Sequence, residues 1–349
     1  MLKKIVNRVT DWKHWPFSVF YFPLFFAWAW YCIKSRSMWF FSTSNPSLTF
    51  GGFEGETKSE MYDQLQKELY PHTIYITPLI VFSDVVQQIK EHRFNYPFIV
   101  KPDIGMKGIL FRKIDNKEHL ETYHRNMPVK YIVQELIEMP IEVSVFYFRY
   151  PNSEQGCITA LIQKNLLQVK GDGCSTLMQL ILEHPITNSW FREMKNQHDV
   201  VFQKILPQGE TFYLSYIGNR YHGAQFINLN KEVNKKLLAV FDSISHKSKF
   251  YYGRYDIKCF SIEEMKEGIN FSILEFNGAG SIPNHIYAGG YTLFQAYKEI
   301  VRHWEILYDI SCYNHKKGIS YWSFLKGYRF LKIAKKNFRI LEQLNKKIP

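Results

Sequence analysis

Cysteine is scarce in this chain. There are five, Cys32, Cys157, Cys174, Cys259 and Cys312, and no pair has CxxC spacing. That argues against a disulfide framework and a cysteine-based zinc site, and it fits the reduced thiols of the cytosol. No stretch repeats at a fixed period, so solenoid and propeller architectures are excluded. No Ser-His-Asp or Cys-His spacing argues for a nucleophilic enzyme. Acid is short as well: 32 Asp and Glu stand against 44 Lys and Arg, leaving a net charge of +12. Phosphates, anionic lipid or nucleic acid are the favoured partners of such a chain. One long run lacks charge altogether, from Trp15 to Ile33.

That run, WPFSVFYFPLFFAWAWYCI, is nineteen residues long and rich in aromatics. It approaches the ~20 residues that span a bilayer as a helix. Pro16 and Pro23 disfavour one straight helix. Lys3, Lys4, Arg8 and Lys13 precede it and Lys34 and Arg36 follow it, so flanking charge gives no orientation. No small-residue cleavage site follows. A full span, a re-entrant or interfacial anchor, and an aromatic helix packed on the body all stay open. The other end is basic. Lys316 to Pro349 carries ten Lys or Arg and one acid, Glu342. Phe324, Tyr328, Leu331, Ala334, Phe338 and Leu341 recur at three or four, the spacing of an amphipathic helix. It reads first as an anionic-membrane element, then as a packing element, and last as a nucleic-acid contact.

Between the ends, 349 residues leave room for one or two domains. Phe98-Ile99-Val100 reads as a buried strand that delivers Lys101. Pro102 and a loop follow, with Gly105 and Gly108 around Met106 and Lys107. Glycines let backbone amides approach phosphate oxygens, and a lysine adds a point charge. Upstream, Glu56 to Leu69 reads as a helix stopped by Pro71, then Thr73 to Val81 as a strand and Val85 to His92 as a helix. Downstream come a returning strand at Ile109 to Lys113, a helix at Asp115 to Arg125 and a strand at Tyr131 to Glu135. Val143–Phe148 and Cys157–Gln163 pair as strands. Val169–Leu180 is a glycine turn and helix, and Trp190–Gln203 is polar and helical. Asn230 to Phe250 is a helix with Leu237, Phe241 and Ile244 on one face. Asp256 lies on a strand. On the next one Glu275 and Asn277 are two apart and share a side. Two carboxylates and an amide oxygen form the oxygen-only set that Mg²⁺ prefers.

Four stretches in this order, YPFIVKPDIGMKG, VQELI with Glu142 beyond it, GRYDIK and ILEFNGAGS, resemble the ATP-grasp superfamily. The closest branch is that of D-alanine–D-alanine ligase and cyanophycin synthetase, over Lys58 to Ile310. The resemblance implies an α+β fold in which two α+β lobes clamp ATP. Around it the chain divides into an aromatic membrane-like segment (1–44), a short preceding region (45–95), the ATP-grasp domain (96–310) and a basic helical tail (311–349). It implies ATP and Mg²⁺ as cofactors, with Mn²⁺ as the alternative ion. Lys101, Gly105, Lys107 and Gly108 then meet the phosphates. Glu135, Leu136 and Ile137 meet the adenine edge, and Glu142 the ribose. Asp256, Glu275 and Asn277 hold metal. Arg254 matches the arginine beside the substrate carboxylate and acyl-phosphate. Arg220, in LSYIGNRYHGAQF, is a candidate for stabilising the transferred phosphoryl group, or else a surface arginine. Lys58 is a nucleotide contact or a solvated helix lysine. The implied activity is C–N ligation: ATP phosphorylates a carboxylate, and an amine displaces phosphate. Amino acids, peptides or a lipid precursor are the expected substrates, met at the cytoplasmic face of a membrane. The alternative is a nucleotide-binding regulatory or scaffold protein without turnover.

Overall fold

The computed structural model describes residues 11–106, 108–183, 187, 202–218 and 222–348. Lys107, Arg220 and the 190–201 part of the polar helical region lie outside the described residues.

The uncharged run forms two helices, α1 (Phe17–Tyr21) and α2 (Phe25–Ser35), parted where Pro23 interrupts the backbone ladder. α2 is apolar on two faces. Trp28 and Tyr31 turn inward onto Trp304 and Tyr308. Phe22, Phe26, Trp30 and Ile33, spaced four, four and three, are 60–70% exposed. Among the described residues no helix is long and apolar enough to cross a membrane.

The first lobe comprises α3 (Lys58–Tyr62), β1 (Thr73–Ile76), α4 (Phe82–Glu91), β2 (Phe98–Pro102), β3 (Arg112–Ile114), α5 (Lys117–Asn126) and β4 (Tyr131–Glu135). Its antiparallel sheet has the order β1-β4-β2-β3. Phe98, Val100, Tyr131 and Val133 bury against Val85, Ile89, Leu120 and Tyr123. Several edges differ from expectation. The helix expected to Leu69 is one short turn ending at Tyr62, and Leu65 reaches the core from irregular chain. The strand expected to Val81 stops at Ile76, before Pro78, which cannot donate to a ladder. β3 starts late because Gly108 and Leu110 take left-handed φ of +73° and +56° in the preceding turn.

The second lobe comprises β5 (Ile141–Phe148), β6 (Cys157–Asn165), β7 (Gln168–Lys170), α6 (Leu177–Glu183), β8 (Thr211–Tyr213), β9 (Gln225–Asn228), α7 (Lys235–Ser248), β10 (Tyr252–Cys259), α8 (Ile262–Lys266) and β11 (Phe271–Asn277). The main sheet has the order β11-β10-β5-β6-β9, and β7 and β8 form a separate ribbon. α7 begins later than its periodicity suggested because the Asn234 side chain caps it, accepting from the Leu237 amide at 3.0 Å. One face of the sheet, with Val143, Val145, Tyr147, Tyr255 and Ile257, packs on Leu237, Phe241 and Ile244.

The opposite face is divided along the strands. Phe146, Phe148, Ala160, Ile162 and Tyr252 make its apolar half. Phe40 and Phe41 cover that half, with Ile306, Leu307 and Ile310 of α9 (Leu293–Lys316). The polar half stays open to a cleft. The basic tail forms α10 (Phe324–Asn345) and packs along the body. At its start Trp39 stacks on Phe324 with ring centroids 6.2 Å apart, and its indole N–H donates to the Phe324 carbonyl at 3.1 Å. Near its end the Leu110 amide donates to Asn345 Oδ1 at 2.8 Å, and Arg112 donates to the Ile348 carbonyl at 2.7 Å. Phe324, Leu325, Tyr328 and Ile333 stay exposed, beside Lys326, Arg329, Lys332 and Lys336.

Candidate active site

Strand register assembles the site. Asp256 of β10 pairs with Glu275 of β11 and with Ser144 of β5, while Arg254 pairs with Asn277. Directly opposed residues of antiparallel strands project to the same face. Alternation then adds Glu142 from β5 and Lys164 from β6, because Val143 pairs with Gln163. The polar half of the sheet therefore presents Glu142, Ser144, Lys164, Arg254, Asp256, Glu275 and Asn277 together. The cleft they line measures ≈ 770 Å³ and is bounded on the other side by Lys101, Gly105 and Gly108 of the first lobe. That is the size range of ligand sites.

Asp256 is the most heavily bonded group. Arg254 grips it with two bonds of 3.1 Å, Ser144 Oγ donates at 2.6 Å, and Lys164 Nζ lies 3.0 Å away. Burial alone would raise its carboxyl. The Arg254 and Lys164 cations outweigh that and hold it well below the usual carboxylate range. Lys164 also lies 3.2 Å from Glu142, and both side chains are almost fully buried. Burial lowers the Lys164 ammonium, but Asp256 and Glu142 more than compensate, so its pKa is raised. Lys101 is pushed down to about 8, by burial first and the Lys58 charge second. Lys58 itself is buried, with Nζ 3.4 Å from the Gly105 carbonyl and 4.0 Å from Glu275. It reaches into the cleft from α3 and is no solvated helix lysine.

Two glycines shape the walls. Gly108 takes its left-handed φ where a Cβ would sit 2.6 Å from Ile217, so the phosphate-type loop and the 214–218 loop close on each other. A Cβ at Gly218 would run into the Glu142 carboxylate. Gly105 has no such requirement, since a Cβ there would make ordinary contacts.

Of the residues singled out above, Lys101, Gly105, Gly108, Glu142, Arg254, Asp256, Glu275 and Asn277 all line this cleft. Glu135, Leu136 and Ile137 do not. Glu135 ends β4 and the other two follow it; the Glu135 amide donates to the His72 carbonyl at 2.9 Å and the Ile137 carbonyl accepts from Lys258 at 2.8 Å. Lys164 and Glu56 are charged cleft residues that escaped the sequence reading. Lys164 lies one position past the expected end of its strand, and its signal is the alternation Ala160, Ile162, Lys164. Glu56 carried no signal. It lines the cleft with Oε2 buried and unpartnered among the described residues, and burial, with Glu275 nearby, raises its pKa to about 7.

The donor set fits a divalent cation held against phosphates. Its oxygens come from Asp256, Glu275 and Asn277, and Lys58, Lys101, Lys164 and Arg254 surround them with the charge that phosphate oxygens need. A second group, His285, Glu299 and His303, has ligand-type atoms within 4.8 Å of one another. There His303 is already bonded on both ring nitrogens, 2.9 Å from the Glu299 carbonyl and 3.0 Å from Thr159 Oγ1. It reads as an internal hydrogen-bond network.

No protein family profile and no curated protein sequence matches the chain. Solved structures do. D-alanine–D-alanine ligase from Bacillus anthracis is 14% identical, with a TM-score of 0.41, over 75% of this chain and 69% of that one. A bifunctional glutathione synthetase from Pasteurella multocida is 15% identical, with a TM-score of 0.37, over 70% of this chain and 35% of that one. ATP-grasp ligase PsnB, complexed with a minimal precursor, is 12% identical, with a TM-score of 0.37, over 71% and 60%. By name these three are two ligases and a synthetase, and PsnB is an ATP-grasp ligase. It spans about a third of the length of the bifunctional synthetase and 60% of PsnB.

Proposed function

We propose that the chain is an ATP- and Mg²⁺-dependent carboxylate–amine ligase working through an acyl-phosphate. The observation that carries this is the polar half-face: three oxygen donors and four cations, drawn from both lobes, around one cleft. Lys101, Lys58 and Lys164 supply point charges for the phosphates, and Glu142 is placed to accept from the ribose. Asp256, Glu275 and Asn277 would hold the metal, which when bound neutralises charge on the phosphate oxygens. Arg254 fixes Asp256 with two bonds and offers its remaining donors to the transferred group. The protein's contribution is positioning and fixed charge, with no side-chain nucleophile.

The reading extends to an anionic membrane surface on the cytoplasmic side. What supports it is the solvent face of α2 and the exposed apolar and basic residues of α10, whose first residue, Phe324, stacks on Trp39. The substrates are then an amino acid, a peptide or a lipid precursor.

The experiment is phosphate release by the purified full chain with ATP, Mg²⁺ and mixtures of carboxylates, with hydroxylamine added to trap an acyl-phosphate as its hydroxamate. Carboxylate-dependent phosphate release with hydroxamate formation is expected. ATP binding without either product would establish a nucleotide-binding protein that lacks turnover.

A further inference from the structure

The cleft contains one acidic group with no task in the chemistry so far. Glu56 stands on the segment that leads into α3. This segment is pinned to the end of the metal-side strand: Ala279 and Gly280 donate their amides to the Gly51 and Gly52 carbonyls at 3.0 and 3.1 Å. A Cβ at Gly278 or Gly280 would run into the Gly51 or Phe53 carbonyl, so no side chain can separate the two segments. On its other flank Gly55, at φ +85°, lies against Phe330 and Ala334 of α10. Glu56 is thus fixed from both sides within a few residues of Glu275 and Asn277.

Its Oε2 is closed off from solvent and has no hydrogen-bond partner among the described residues. The nearest lysine in sequence, Lys58, directs its ammonium to Gly105 and Glu275 instead. In its ionised form such a group is completed by a hydrogen-bond donor or a cation, because it can then accept and cannot give. The surroundings narrow the donor. Lys164 and Arg254 are tied to Asp256 and Glu142, and Lys58 to Glu275, so these cleft cations are engaged elsewhere. The place beside Glu56 is left to a cation that a substrate brings with it.

We infer that Glu56 anchors the cationic nitrogen of the acceptor substrate, an ammonium-bearing molecule that enters beside Asn277 and Gly280. This rests on the ligase reading and names its second substrate as a primary amine that docks as its ammonium and gives up a proton, to the Glu56 carboxylate or to water, before its nitrogen displaces phosphate. Glu56 is then a positioning and specificity residue distinct from the metal ligands.

The test uses the full chain, loaded with ADP and Mg²⁺, and two probes. Alaninamide carries an ammonium, and propionamide is its counterpart without one. Binding is read from thermal-shift titrations of the unaltered protein, Glu56→Gln and Glu56→Asp. Alaninamide should bind the unaltered protein and propionamide should not. Glu56→Gln should weaken alaninamide at least tenfold while leaving ADP affinity in Mg²⁺ within twofold, and Glu56→Asp should retain part of the response. If Glu56→Gln binds alaninamide as before, or if the unaltered protein holds ADP and Mg²⁺ but ignores alaninamide, the inference is overturned alone. If Glu56→Gln instead loses Mg²⁺-dependent ADP affinity, Glu56 is a metal ligand and the inference is wrong. If the unaltered chain binds no ADP with Mg²⁺, the ligase reading falls and takes this one with it.

Discussion

At the scale of single residues, Asp256 and Glu275 differ in what else depends on them. Glu275 is partly exposed, and its one ion-pair neighbour among the described residues, Lys58, is 4.0 Å away. Glu275→Gln should therefore abolish Mg²⁺-dependent phosphate release with little effect on urea denaturation. Asp256 neutralises Arg254 and buried Lys164 at once. Asp256→Asn leaves Arg254 without its acidic partner and Lys164 with Glu142 alone, and should cost ~3–5 kcal/mol of stability as well as activity. Equal denaturation midpoints for the two variants would contradict the network. Lys101→Ala should weaken ATP by ~1.5–3 kcal/mol in calorimetry, the magnitude of a charge-assisted hydrogen bond. Glu56 predicts a pH effect on the metal-free protein. Its folded pKa of about 7 exceeds the ordinary 4.5, so the folded state holds the proton more tightly. The stabilisation is full below about pH 4.5 and is lost as pH rises through about 7, a change of ~3 kcal/mol. Unfolding free energies of the unaltered chain and Glu56→Gln should converge at low pH and separate above pH 7, with the variant more stable. Much of this site was legible in advance. Asp256, Glu275 and Asn277 could be read because strand period two puts neighbours-but-one on one face. Lys164 could not, because periodicity gives a strand's phase far better than its end. Glu56 was illegible for a different reason: its environment is made by segments distant in sequence, including Gly278–Gly280 and α10.

At the scale of elements, the ends of the chain show what pattern reading can and cannot supply. Pro23 breaks the aromatic run where proline chemistry says it should. The apolar stripe of α10 was equally plain, but a stripe does not say what covers it. Here Phe50 and Trp322 pack on Phe330, beside the stripe, Leu341 is buried in the first lobe, and Phe324 and Tyr328 stay exposed. Gly327 is the tightest point of that contact, since a Cβ there would sit 2.5 Å from Trp39 Nε1. Gly327→Ala should cost ~1–3 kcal/mol by overpacking, read as a lower urea midpoint with altered tryptophan fluorescence. An unchanged midpoint would mean that α10 is only loosely seated. The left-handed turn at Gly108 and Leu110, which shortened β3, lay in side-chain and loop packing that no period encodes.

At the scale of the whole molecule, the two ends cannot be cut away to test membrane contact. Phe40 and Phe41 are fully buried, and Asn45 bonds the backbone of Tyr251 and Tyr252 at 2.8–3.0 Å, so a chain begun at Asn45 would expose the core. Substitution at the surface avoids this. The unaltered chain should float with anionic vesicles in both low and high salt. Replacing Phe22, Phe26 and Trp30 by Ser should remove the salt-resistant part, since each side chain offers ~1.5–3 kcal/mol on burial. Replacing Lys326, Arg329, Lys332 and Lys336 by Gln should remove the part that fades with salt, up to ~1 kcal/mol per cation. Flotation that ignores both sets would leave these residues as ordinary surface.

α10 has a consequence of its own. One helix begins against Trp39, passes the cleft at Ala334, Asn337, Phe338 and Leu341, and ends bonded to Leu110 and Arg112. A displacement at either end would be carried along this one continuous helix to the other. If lipid contact shifts it, nucleotide affinity changes, and the influence must run equally in reverse. Whatever factor vesicles add to ATP affinity, ATP must add to vesicle affinity, and Gly327→Ala, which disturbs the helix where it meets Trp39, should reduce both factors together.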